Sequence, residues 1–129
     1  MPTFKQIGTA LVAQGDLLAQ SSTLPVTVCT YTPAVAGTYR VGGYINLLAA
    51  GAGTIDLIVS WTDENASPRS IILGPVDYVF GVTSGVVRFN AMQASDIRVA
   101  AGGLITVYTS PNALAAASYD MGGNITKLY

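Results

Sequence analysis

Two stretches of this chain alternate apolar and polar residues too strictly for a helix. In 38–47, TYRVGGYINL, one face takes Tyr39, Val41, Gly43, Ile45 and Leu47, and the other takes Thr38, Arg40, Tyr44 and Asn46. In 54–63, TIDLIVSWTD, Ile55, Leu57, Val59 and Trp61 face one way, and Thr54, Asp56, Ser60 and Thr62 the other. Successive side chains on a strand point to opposite faces, so a period of two marks a half-buried β-strand. The AAGAG segment between them, 49–53, is small and Gly-rich, as a short hairpin connection requires. The pattern therefore predicts an antiparallel hairpin of these two strands with Trp61 in the core.

Further strand candidates follow at short spacing. They are PVTVCTY (25–31), RSIIL (69–73), VDYVFGV (76–82), VVRFNAM (86–92), IRVA (97–100), LITVYT (104–109) and the closing SYDMGGNITKLY. Gly74-Pro75 separates the second from the third, and TSG and Gly102-Gly103 supply further turns. Only ALVAQGDLLAQ near the start carries a weak helical period, interrupted by Gly15. About eight short strands with regular turn signals indicate an all-β fold, an antiparallel β-sandwich or barrel. The length fits a single domain over 1–129, with 1–24 an extended N-terminal arm or a first strand. Two Gly-Gly pairs, 42–43 and 122–123, interrupt strand patterns. Bulges or bends at sandwich corners are the expected reason, and close approach of another backbone or an aromatic ring is the alternative.

Charge is scarce. Charged residues make up 10% of the chain against roughly 25% in a typical soluble domain, and apolar types reach 50%. Interface cores are depleted in Asp, Glu and Lys and enriched in Tyr, so the composition suits a chain that lives in contact with other protein. The net charge is −1 and the six basic residues are scattered, which leaves little for nucleic-acid binding. The longest charge-free stretches contain Pro25, Pro33 and Pro111 and many Ser and Thr, so neither reads as a membrane span. The N-terminal MPTFKQIGTALVAQGD lacks the apolar centre of a signal peptide.

SWTDENASPRS, 60–70, gathers Asp63, Glu64 and Arg69 beside the lone tryptophan and raises the prospect of acid or metal chemistry. The chain has no histidine, which removes the commonest general base and the usual zinc ligands. Asp63 and Glu64 are the adjacent acids, but neighbours on a strand diverge, and Asn65, Ser67 and Pro68 mark a turn without EF-hand spacing. No catalytic residue, cofactor site or metal site is expected. Asp63, Glu64, Asn65 and Arg69 stand as candidate partner-binding loop residues. Cys29, the lone cysteine, reads as a small buried hydrophobe. Of the seven tyrosines, Tyr44 and Tyr108 fall on outer strand faces, where aromatics can mark an interface or a sugar-binding surface.

One set of motifs resembles a known group. Thr32, Pro33, Gly37, Tyr39, Arg40 and Val41 lead into the first alternating strand, Trp61, Thr62, Asp63 and Glu64 close the second, and YDMGGNITKL ends the chain. This pattern is similar to small virion proteins of tailed bacteriophages. The resemblance implies a jelly-roll-like sandwich assembled as a homotrimer, without catalytic residues to carry over. It implies either a capsid decoration (cement) protein bound to the major capsid protein on the virion surface or a tail-fibre tip that holds a host glycan. The chain begins at Met1 without a stalk, which favours decoration. The N-terminal third matches the pattern least and is the expected capsid-contacting part.

Overall fold

The structure is a computed structural model that describes residues 10–22, 24–49, 51–79, 88–91, 94–115 and 117–128. Among them nine strands form: β1 (Ala10–Gln20), β2 (Thr27–Tyr31), β3 (Gly37–Ala49), β4 (Ala52–Thr62), β5 (Pro68–Val79), β6 (Arg88–Ala91), β7 (Ser95–Val99), β8 (Ile105–Ala115) and β9 (Ser118–Lys127). One sheet runs β1-β9-β3, with β6 and β7 both on the far side of β3; the other runs β2-β8-β4-β5. Every pairing is antiparallel. β7 pairs with Gly37 to Val41 and β6 with Tyr44 to Leu47 of the same strand, so two short pieces fill one strand position. The chain changes sheet at nearly every connection, staying put only at β4–β5 and β6–β7. Two antiparallel sheets wound in this order form a jelly-roll sandwich.

The inward residues are those the alternation selects. Val41 and Ile45 of β3 and Met121 and Ile125 of β9 meet Ile55, Leu57 and Val59 of β4 and Ile105 and Val107 of β8, all fully buried. Burying each such side chain contributes roughly 1.5–3 kcal/mol.

Several expectations change. The alternating stretches 38–47 and 54–63 are both strands, but they do not pair: β3 and β4 lie in different sheets. Alternation records which face is apolar, and facing strands of a sandwich satisfy it as well as hairpin neighbours do. ALVAQGDLLAQ is a strand, with Ala13, Gly15 and Leu17 turned towards the core as its partners Ile125, Gly123 and Met121 are. Residues 1–9 lie outside the described residues. RSIIL and the described part of VDYVFGV are one strand, β5, on the edge of its sheet. Register shifts where Ile55 to Leu57 of β4 spans Tyr78 to Leu73 of β5, and the extra length holds Gly74-Pro75. A proline is tolerated there because an edge strand has one side without ladder partners. Residues 80–82, 86, 87 and 92 of the expected strands, and the TSG turn, lie outside the described residues. Trp61 packs against the core from its rim and stays partly exposed.

The glycine pairs are not bulges. Register runs unbroken from Val41–Ile125 through Gly43–Gly123 to Ile45–Met121. Gly15 joins the same row from β1, opposite Gly123. The three form an inward-facing glycine band across neighbouring strands, where the opposite sheet comes close. A Cβ at Gly15 would strike the Val28 carbonyl of β2, one at Gly43 would lie 2.5 Å from Leu57 Cδ2, and one at Gly123 3.0 Å from Val107 Cγ1. The close approach of Gly15 to Val28 brings the edge strands β1 and β2 together and closes that side of the sandwich.

Candidate functional site

The DENAS segment is the turn of the β4–β5 hairpin, the one long hairpin within a sheet. Thr62 pairs with Pro68, and the Ala66 N–H donates to the Asp63 carbonyl at 3.0 Å while the Asp63 N–H donates to the Ser67 carbonyl at 2.9 Å. Ala66 has φ 60°, the left-handed position that follows a type I turn in hairpins of this length. Asp63 holds the turn from inside: its Oδ1 accepts from the N–H groups of Asn65 at 2.9 Å and Ser67 at 3.0 Å. Its Oδ2 accepts from Arg69 Nε at 2.7 Å. The Arg69 guanidinium, followed by the Ser67 N–H, holds the Asp63 carboxyl below its ordinary range.

Glu64 points away from Asp63 and reaches the other sheet. Arg98 of β7 donates to it through Nε at 2.6 Å and Nη2 at 2.9 Å, and its Nη1 donates to Thr38 Oγ1 on β3 at 2.7 Å. Arg98 accordingly lowers the Glu64 pKa. Beside it the Ala100 N–H donates to the Thr62 carbonyl at 3.0 Å, and the Gly102 N–H donates to the Pro33 carbonyl at 2.7 Å. Three loops are thereby tied at one end of the sandwich, and the hairpin tip is clasped to the opposite sheet. A second bidentate pair, Arg40 Nε and Nη2 to Asp96, lies across β3 and β7 at 2.8 and 3.0 Å. It holds the Asp96 carboxyl below its ordinary range.

Of the four candidate loop residues, Asp63 and Arg69 face each other, Glu64 pairs with Arg98, and Asn65 is exposed at the tip. The arrangement separates the two acids, and among the described residues no three Cys, Asp or Glu side chains gather as a metal-ligand set. The role of Arg98 was not visible in the sequence. It lies 34 positions from Glu64, and nothing in IRVA signals a partner.

Tyr44 is not a free aromatic: it is half-buried, and its hydroxyl donates to Asp16 Oδ1 at 2.8 Å. That bond, with some burial, pushes its pKa up to about 12. Cys29 lies in the core, where burial pushes its thiol up to about 11.

The two outer faces differ in charge. Among the described side chains the β1-β9-β3 sheet carries Asp16, Arg40, Asp96, Arg98 and Asp120 outward, on the side of the strands opposite the buried residues. On the β2-β8-β4-β5 sheet Asp56 is the outward charge among the described side chains, which do not include Asp77 of β5. Sequence gave no hint of this partition, because it depends on which strands share a sheet.

No family model matches the chain, and no curated protein does. Solved structures match. VP2 of infectious bursal disease virus, in a subviral particle, aligns with a TM-score of 0.54 at 11% identity, over 92% of this chain and 32% of that one. The structure of the Gt strain of the same virus gives 0.53 at 12% identity, over 94% and 33%. This β-sandwich is a fold that a viral particle protein also uses. The chain spans about a third of the length of the solved chains it matches.

Proposed function

We propose that this chain is a structural, non-enzymatic component of a virion. The observation that carries the reading is the likeness, over nearly the whole chain, to a sandwich found in a viral particle. The sparse charge of the chain supports it, because protein interface cores are poor in charge. In its finer form the proposal is a bacteriophage capsid decoration protein that binds the major capsid protein from outside as a homotrimer. Repeated weak contacts at symmetric sites then add through effective concentration. The proposed shell-facing parts are the N-terminal third and the clasped hairpin tip, where Asn65 is exposed, Arg98 holds Glu64, and Asp63 and Arg69 hold the shape.

The test is co-sedimentation of the purified protein with capsid shells that lack it, followed by electron microscopy of the bound particles. Density on the shell at symmetric positions is the expected result. Absence of shell binding together with a signal on a glycan array would overturn the reading in favour of a tail-fibre tip module.

A further inference from the structure

The outer face of the β2-β8-β4-β5 sheet is ordered into three rows by strand register. The central row is apolar: Tyr108 of β8 pairs with Ile58 of β4, and Ile58 with Ile72 of β5, which is 38% exposed. On one side of it Asp56 pairs with Ser110, while the β5 side chains at that level, 74–77, lie outside the described residues. On the other side lies a row of hydroxyls, where Ser60 pairs with both Thr106 and Ser70, and Thr106 with Thr30 of β2. Asp56 and Ser60 stand two residues either side of Ile58 on one strand, so the acceptor row and the donor row are equally far from the apolar row.

Such a pattern is complementary to itself. We infer that this face packs against the same face of a second copy, about a two-fold axis that lies along the Tyr108–Ile58–Ile72 row. The inference rests on the reading that the chain works in contact with other protein, and the two-fold contact is separate from any three-fold arrangement. Rotation about that axis reverses the strands and exchanges the flanking rows while each strand stays opposite its own copy. Ile58 then meets Ile58, and the Asp56 carboxylate of each copy faces the Ser60 hydroxyl of the other. A carboxylate has about four acceptor positions and a serine hydroxyl always has a proton to donate, so this pairing fits their chemistry. An axis running along β4 would set Asp56 against Asp56, and like charges brought together out of water oppose such packing. A contact of this kind is isologous, the commonest form among soluble oligomers.

Substitutions of opposite charge at one position test it. Ser60→Glu places a second carboxylate opposite the Asp56 of the other copy, whereas Ser60→Lys places an ammonium there. Sedimentation equilibrium of the full chain at low salt is expected to show Ser60→Glu weakening self-association by about tenfold or more, with Ser60→Lys as tight as the unchanged chain or tighter. Adding Asp56→Lys to Ser60→Glu should restore the association, and the differences should shrink in high salt. Circular dichroism establishes that each variant is folded. Equal effects of the two charges, or an assembly indifferent to both, would overturn the contact. Shell binding is scored separately: shells that still bind both variants leave the virion reading intact while the inference fails. Failure of the unchanged chain to bind shells sinks that reading and leaves the two-fold contact to stand on the sedimentation result.

Discussion

The Tyr44 hydroxyl donates to Asp16 Oδ1 at 2.8 Å across the strand between them, over Gly122, which pairs with both residues. A Cβ at position 122 would collide with the Tyr44 ring and come within 2.6 Å of Asp16 Oδ1, so the bond exists because the middle strand offers only a hydrogen there. Gly122→Ala is expected to destabilise by about 1–3 kcal/mol. Because the ring must swing away, the cost should be non-additive with Tyr44→Phe in a double-mutant cycle measured by urea denaturation.

The same bond sets an alkaline limit. The neutral phenol is the form that donates, and its folded pKa of about 12 stands above the ordinary value of about 10. Its contribution is therefore fully present below pH of about 10 and is lost as pH rises towards about 12. The stability difference between the unchanged chain and Tyr44→Phe should be constant up to about pH 10 and shrink above it, read from denaturation midpoints with tyrosinate absorbance as the titration signal.

Acid should act at the opposite end of the scale. Asp63, Glu64 and Asp96 are held below their ordinary values by Arg69, Arg98 and Arg40 respectively. Folded pKa values below the unfolded ones stabilise above the unfolded values, near pH of about 4, and that contribution is lost as pH falls through the folded ones. A chain carrying Asp63→Asn, Glu64→Gln and Asp96→Asn should lose part of the fall in melting temperature below about pH 4. An unchanged profile in that chain would show that the clasp does not govern acid stability.

Ala66→Gly is expected to stabilise the hairpin. A left-handed backbone costs an alanine about 1–2 kcal/mol, and the greater freedom of glycine in the unfolded chain takes back about 0.5–1 kcal/mol. The net gain of about 0.5–1 kcal/mol should appear as a raised melting temperature with the same denaturant m-value.

Gly15→Ala should cost more than Gly122→Ala. At Gly15 the added methyl meets the Val28 backbone of the other sheet, which cannot rotate aside as the Tyr44 ring can. A loss at or above the upper end of about 1–3 kcal/mol is expected, with early exposure of the buried Cys29 thiol as the readout by alkylation. Equal melting temperatures for the two alanine variants would count against the closed β1–β2 side.

Much of the candidate site was legible in part. Asn65, Ser67 and Pro68 announced a turn after Trp61, and the turn is there, because those residue types act through their immediate neighbours. Its fastening to β7 was not legible, since Arg98 meets Glu64 only after two sheets have stacked. Tyr44 shows the same limit: its outward face follows from alternation, while its bond to Asp16 requires β1 and β3 to flank β9.

By itself the sequence determined most of the strands, their inward faces and the scarcity of charge, for these follow from alternation and composition along the chain. Tertiary structure alone decided that most consecutive strands lie in opposite sheets, that Gly15, Gly43 and Gly123 form one band of close approach, and that Asp16, Arg40, Asp96, Arg98 and Asp120 share one outer face. The reason is geometric. A period of two records which side of a strand is apolar and nothing about which strand lies beside it, and each of these features is a relation between neighbouring strands.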